Sequence, residues 1–364
     1  MKRLVQIATI VVVTLLTACS NNDIVRNTEP IFTPRYAEGF SIERATKSGD
    51  VLLCIKNPWQ GAQDILYYHK IDTTSSPKRI VAMSSSHVAM LDAVGCTNRI
   101  VGISGCGFIY NPSVCEAIEG GYIGEVGYDS AFDFEKIRSL KADVVLLYGV
   151  AGEARTITDK LDELCIPYIY IGDYLEANPL GKAEWVVALA YLCGVEEQGK
   201  EFFEGVERRY NALREEKHGS AYRPRVMLNL PYRDTWFMPP RNSYMVRLIE
   251  DAGGEYLLSE NDSNTSKPIS LEEALILAMK ADFWINLGQI ASKTELEAVA
   301  PRFAKVDAVK FGRIYNNTKR TNASRGSDFW ESGTIRPDLI LADLVKMFHH
   351  EATTEALYYY KKLE

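Results

Sequence analysis

Two stretches of this 364-residue chain decide its fold: FDFEKIRSLKADVVLL at 132–147 and ISLEEALILAMKADFWIN at 269–286. Each carries a helix-capping side chain and an acid near its start, then an apolar helical face, then Lys-Ala-Asp leading into a run of strand-forming residues. A helix feeding a buried strand, repeated far apart in the chain, predicts two copies of one α/β unit. Asp133 and Ser270 read as the N-caps, which puts Glu135 and Glu272 at the second helical position of the paired units. Acids there favour the helix dipole by about 0.3–1 kcal/mol. Glu273 completes a capping box with Ser270 and is structural, whereas Glu135 and Glu272 are left to point into water, one on each unit.

Outward from the first stretch, strands at 79–83 (RIVAM), 99–103 (RIVGI), 143–147 and 167–171 alternate with helices from His87, from Phe134 and over 154–164. Short apolar strands separated by helices predict a parallel sheet covered on both faces, here an N-terminal lobe over 77–178. Around the second stretch the alternation resumes with strands at 225–230, 282–287 and 312–315 and helices near 244–252, from 271, near Thr294 and from Pro337 to about 350, a C-terminal lobe over 218–364. Asn178-Pro179 is a helix start, and helical pattern then runs to 217 with one interruption at Gly194. A 20-residue helix reaches about 30 Å, so 179–217 reads as a bridging region. Residues 36–76 (FSIERA, VLLCI, ILYYHKI) have β-rich character without helices. The predicted fold class is therefore α/β: two Rossmann-like α/β lobes joined by a long helix, with a small N-terminal β-rich extension and an interlobe cleft at the strands' carboxyl ends.

The composition, 46% hydrophobic and 24% charged, is that of a folded globular protein and excludes a disordered tail, a collagen and a multi-span membrane protein. The formal net charge of −7, without clustered Lys and Arg, argues against nucleic acid as a partner. Lys2 and Arg3 precede an apolar core from Leu4 to Leu16 that is short for a membrane span, and LTAC at 16–19 resembles a bacterial lipobox. Residues 1–18 thus read as a signal peptide, Cys19 as a lipidation site and 19–35 as a tether, leaving 39 basic against 48 acidic side chains. The expected location is extracytoplasmic, lipid-anchored to a bacterial membrane and facing the periplasm if the cell is Gram-negative. The six remaining cysteines form no CxxC or Cys/His zinc pattern and read as buried small hydrophobes, with room for one loop disulfide.

Enzyme signatures are missing: there is no G-x-S-x-G, P-loop, H-E-x-x-H or full G-x-G-x-x-G. Ser84 to Ser86 before His87 suit a helix cap better than a nucleophile and base, since adjacent residues rarely face each other. The five histidines are not spread as metal ligands, so neither a metal nor a cofactor is expected. The long loops 231–244 and 316–336 carry Tyr232, Arg233, Trp236, Tyr244, Arg320, Arg325 and Trp330, flat apolar faces and guanidinium forks suited to a large planar or anionic ligand. Equally, Trp236 and Trp330 could seal the loops onto the lobe. Phe108, Tyr110, Tyr128 and Tyr148 sit at strand exits of the facing lobe.

With these features the chain resembles the substrate-binding proteins that serve ABC importers of iron siderophores, haem and cobalamin, the helical-backbone class of periplasmic binding proteins. The resemblance lies in PKRIVAMSSSHVAMLDAVG (77–95), YIGEVGYDSAFDFEKIRSLKADVVLLYG (122–149), the bridging region, and ISLEEAL with KADFWINLG (269–288). It implies a monomer that holds its ligand in the interlobe cleft, closes little, and docks on arginines of an importer permease through Glu135 and Glu272, the positions matching the family's N-L-E-x-I motif. Ala142 and Ala281 depart from the family's frequent Pro before Asp. The loop arginines favour a ferric siderophore over a corrinoid or haem; an extracytoplasmic α/β enzyme and a ligand-free adhesion or scaffold lipoprotein are the alternatives of other classes.

Overall fold

The computed structural model describes residues 27–128, 131–150, 152, 155–216, 222–258, 260–262, 265–349 and 354–364, so the expected leader and Cys19 lie outside the described residues. Strands β1 (Thr28–Phe32), β2 (Phe40–Ala45), β3 (Val51–Lys56) and β4 (Leu66–Ile71) form an antiparallel sheet in that order. The stretch read as tether, 19–35, therefore already contains a strand. β1 is a half-exposed edge whose side chains do not alternate, and such a strand gives no period-two signal. One face of the sheet turns Phe40, Ile42, Leu53 and Ile55 into the main core, where Phe40 meets Trp185 with ring centroids 4.9 Å apart.

In the N-terminal lobe, β5 (Ile80–Ala82), α1 (Ser85–Ala93), β6 (Ile100–Ile103), α2 (Pro112–Glu119), β7 (Gly124–Glu125), α3 (Phe134–Ser139), β8 (Val144–Leu147), α4 (Arg155–Glu163) and β9 (Tyr168–Tyr170) build an all-parallel sheet of order β7-β6-β5-β8-β9. Helices α5 (Pro179–Cys193) and α6 (Glu196–Glu215) follow. The C-terminal lobe comprises β10 (Arg225–Leu228), β11 (Thr235–Met238), α7 (Tyr244–Asp251), β12 (Glu255–Tyr256), β13 (Lys267–Ser270), α8 (Leu271–Ala278), β14 (Phe283–Ile285), α9 (Lys293–Val299), α10 (Asp307–Lys310), β15 (Ile314–Asn316), α11 (Pro337–His349) and β16 (Lys361–Lys362). Its sheet has the order β12-β10-β14-β15-β16, with only β16 antiparallel. β11 and β13 pair separately.

The repeated sequence unit has one physical job in both lobes. Asp133 caps α3 by accepting from Lys136 N at 2.8 Å, and Ser270 caps α8 by accepting from Glu273 N at 3.2 Å. The Asp of each Lys-Ala-Asp then holds the entry of the neighbouring strand. Asp143 Oδ2 accepts from the amides of Lys78 and Arg79 at 2.8 and 2.9 Å, ahead of β5, and Asp282 Oδ2 accepts from Arg225 N at 2.8 Å, at the start of β10.

The helical pattern across 179–217 is two helices folded on each other. Gly194, at φ 68°, ends α5 in the left-handed conformation that glycine adopts without penalty. α6 packs along α5 and α11. The connection between lobes falls to α5, about 22 Å long, which touches α1 and β2 on one side and α7 and α11 on the other. The apolar stripe of α6, with Phe203, Val206 and Tyr210 buried, faces that pair and does not span both lobes.

The α5–α6 contact closes over Gly199, where an added Cβ would lie 2.3 Å from Ala190 Cβ. At Gly205, on the same helix, it would meet only guanidinium ends of Arg209 and Arg208, at 3.2 Å or more. Replacing glycine by alanine inside a helix gains about 1 kcal/mol from propensity, while overpacking costs about 1–3 kcal/mol. Gly199→Ala should therefore lower unfolding free energy in a denaturant titration, and Gly205→Ala should leave it equal or higher.

Candidate ligand-binding cleft

The carboxyl ends of both sheets open on one cleft of about 760 Å³, within the range of ligand pockets. The N-terminal lobe supplies Met83, Ser84 and Ser85 after β5, Ser104 and Gly105 after β6, Tyr148 after β8, and the outlying Phe108, Ile109 and Tyr128. The C-terminal lobe supplies Asn229 and Leu230 after β10, Asn286, Gly288 and Gln289 after β14, Asn317 and Thr318 after β15, then Thr321, Arg325, Ser327 and Trp330 from the long loop. Asn229 and Asn286 both leave their strands at positive φ, 67° and 62°. Asparagine tolerates that conformation better than other side-chain-bearing residues. Trp284 Nε1 donates to Asn229 O at 2.7 Å, and Asn286 Oδ1 accepts from Tyr360 OH at 2.8 Å. The core beneath thus holds the backbone at Asn229 and the carboxamide of Asn286.

Five of the eleven residues expected at the ligand line this cleft: Phe108, Tyr128, Tyr148, Arg325 and Trp330. Phe108, Tyr128 and Trp330 are half-exposed rim groups, with Phe108 and Tyr128 edge to face at 6.3 Å. Tyr148 stands against His87 and Tyr174 at 6.0 and 4.5 Å between centroids. Burial pushes its phenol well above the ordinary value, so the hydroxyl stays protonated and available as a donor.

The other six lie outside. Trp236 is fully buried, donates Nε1 to Leu228 O at 2.9 Å and packs on Trp284 and Phe303. The loop expected over 231–244 contains strand β11, whose alternate side chains Trp236 and Met238 point into the core. Tyr232 is exposed with Arg233 over its ring at 5.3 Å. Tyr244 OH donates to Gly333 O at 3.2 Å. Tyr110 and Arg320 meet in the seam between the lobes: Arg320 binds Asp328 and lies between the rings of Tyr110 and Tyr358, 5.1 and 4.4 Å from their centroids. Sequence reasoning missed the carboxamide and hydroxyl lining, although its signal, polar residues directly after each strand, was present. Outside the cleft, Glu135 is exposed on α3, and Glu272, expected to point freely into water, pairs with Arg302 at 3.1 Å on the surface.

The long loop also ties the lobes together. Glu331 accepts from the amides of Tyr110 and Asn111 at 2.7 and 2.9 Å, and Asn322 Nδ2 donates to Ile109 O at 2.7 Å. Gly326 rests on the same carbonyl, where a Cβ would come within 2.2 Å.

A family model described as periplasmic binding protein matches residues 80–321, from β5 through β15 into the long loop, and the chain belongs to that family. The extension β1–β4 precedes the matched region. Among curated proteins, an uncharacterized lipoprotein of Methanocaldococcus jannaschii is 27% identical over 286 residues, 75% of this chain and 66% of that protein, so the chain spans just under two thirds of that relative's length. Among solved structures, a periplasmic haem-binding protein from Pseudomonas aeruginosa superposes with a TM-score of 0.60 at 18% identity, covering 79% of this chain and 98% of that one. A periplasmic vitamin B12 binding protein of Vibrio cholerae gives 0.53 at 16% identity, covering 75% and 96%. These superpositions establish a shared fold, two lobes with a cleft. Among the described residues no helix is long and apolar enough to cross a membrane.

Burial raises the Glu331 carboxyl to about 7 from its ordinary 4.5, against the opposing pull of the Tyr110 and Asn111 amides. A carboxyl whose folded value lies above its unfolded one binds its proton more tightly when folded, so its contribution to stability falls as pH rises from about 4.5 to 7 and is lowest above that window. The stability difference between the native chain and Glu331→Gln should therefore change between pH 5 and pH 8, by up to about 3 kcal/mol. Denaturant titrations at four pH values read this directly; parallel pH profiles would remove Glu331 as the titrating group.

Proposed function

We propose that this chain is an extracytoplasmic solute-binding lipoprotein that captures a bulky metal chelate in the interlobe cleft and delivers it to an ABC importer. The observation that carries the ligand class is the lining itself. Aromatic faces stand at the rim, carboxamides and hydroxyls line the walls, and Arg325 is the single charged side chain among the lining residues described. A polyanionic chelate would need several cations in such a site, because a buried unpaired charge is costly. With Arg233 and Arg320 turned elsewhere, the loop arginines no longer favour an anionic ferric siderophore. Neutral amides pair instead with carboxamide side chains, which supports a corrinoid, whose rim carries carboxamides, or a ferric siderophore without net charge. Haem, with two carboxylates, finds one guanidinium. The fold-level neighbours that bind vitamin B12 and haem are consistent with a ligand of this size.

Titrating the soluble chain, residues 20–364, with cyanocobalamin, haemin, a neutral ferric hydroxamate and an anionic ferric catecholate, followed by tryptophan quenching, tests the ligand class. Cyanocobalamin or the hydroxamate should bind and remain unaltered. Trp330→Ala should weaken that binding tenfold or more, the usual cost of losing an aromatic anchor, and Arg325→Ala should weaken it less. Binding of the catecholate alone would reject the reading.

Delivery rests on Glu135 and Glu272, each on the first turn of the equivalent helices α3 and α8. Charge-assisted bonds from permease arginines to both carboxylates would seat the two lobes together; the Arg302 pair is exposed and weak enough to exchange. The double variant Glu135→Ala, Glu272→Ala should keep ligand affinity yet lose most uptake in cells carrying the importer, and undiminished uptake would exclude the docking role.

A further inference from the structure

Two of the cysteines lie together where the N-terminal lobe meets the connecting helix. Cys96 sits in the turn that ends α1, its N–H donating to Leu91 O at 2.7 Å, and Cys193 is the last residue of α5. Arg99 holds both backbones: its N–H donates to Cys96 O at 3.0 Å and its guanidinium Nη1 to Cys193 O at 2.9 Å. Both side chains are buried at 1% exposure. Neither sulfur is bonded to another cysteine, the two thiols lie near enough to act on each other's ionisation, and Cys96 Sγ is 3.6 Å from Val94 O. In contrast, Cys106 and Cys115 turn their sulfurs to separate carbonyls, of Ile103 and Ile109, and Cys165 is exposed.

We infer that Cys96 and Cys193 form an intrachain disulfide when the chain folds in an oxidising compartment, a covalent staple between α1 and α5. The oxidant is an external disulfide, of a dithiol oxidoreductase or of glutathione. The Cys96 thiolate attacks one of its sulfurs, expelling the other as thiolate and forming a mixed disulfide. The Cys193 thiolate then attacks the Cys96 sulfur and expels the second external thiolate. One disulfide forms in the chain, one external disulfide becomes two thiols, and the two protons lost by the cysteines are available to them. The order of the two attacks is interchangeable, because neither thiol is yet in its packed surroundings when exchange begins. Because both sulfurs are enclosed in the folded chain, exchange precedes the final docking of α5 on α1.

The inference rests on the proposed extracytoplasmic location, and the experiment separates the two. The soluble chain, residues 20–364, is refolded in a glutathione redox buffer, alkylated and mapped by mass spectrometry without reduction. The expected result is one linked pair of fragments, carrying Cys96 and Cys193 and lighter than the free pair by two hydrogens, with an unfolding midpoint that falls to lower denaturant on reduction. Cys193→Ser should abolish the link and Cys165→Ser should leave it. Alkylation of both residues in the refolded chain, or scrambled links, overturns the inference on geometry. A link formed in vitro beside free thiols in chain recovered from the cell envelope overturns it on location.

Discussion

A helix enclosed on every side constrains this molecule. All of α5 except Lys182 is buried, with a lobe at each flank and the extension across it, so bending it would open apolar surface to water at about 25 cal/mol per Å². Two acids, Glu176 ahead of the helix and Glu184 within it, hold the chain around it. Glu184 accepts from the amides of Arg35, Tyr36 and Ala37, and Glu176 from those of Glu38 and Gly39 and from Trp185 Nε1. Five consecutive backbone donors thereby lie against α5 without a strand or helix of their own. A helix held in this way opposes bending between the lobes, the physical basis for a cleft formed ahead of its ligand.

The long loop of the C-terminal lobe divides its work within a few residues. Thr321, Arg325, Ser327 and Trp330 face the cleft. Arg320, Asn322, Gly326 and Glu331 face the other lobe and close the seam. The same loop therefore lines the site and sets the distance across it, so a change at the seam is felt at the rim. The strand ends after β10 and β14 are fixed differently, by left-handed backbone at Asn229 and Asn286 and by hydrogen bonds from the core to the Asn229 carbonyl and the Asn286 carboxamide.

Much of the fold was legible because it rests on local signals. The caps at Asp133 and Ser270, the Lys-Ala-Asp turns and the apolar strands act through neighbours a few residues away. The site was legible only in part. An arginine in a polar loop has the same local pattern whether its fork meets a ligand or a carboxylate, and Asp328, which claims Arg320, is recognisable as its partner only in three dimensions. Trp236 looked like a loop aromatic because β11 is one short strand of a separate pair, completed by β13 some thirty residues later.

By itself the sequence determined the α/β class, the two related lobes and the helical region between them, since periodicity, capping and the repeated unit are properties of adjacent residues. Tertiary structure alone decided that α5 rather than α6 joins the lobes, that two of the three loop arginines leave the cleft, and that carboxamides from three separate strand ends converge in it. Each of these depends on which distant side chains claim a surface or a hydrogen-bond partner first, and that competition is resolved only when the whole chain is packed.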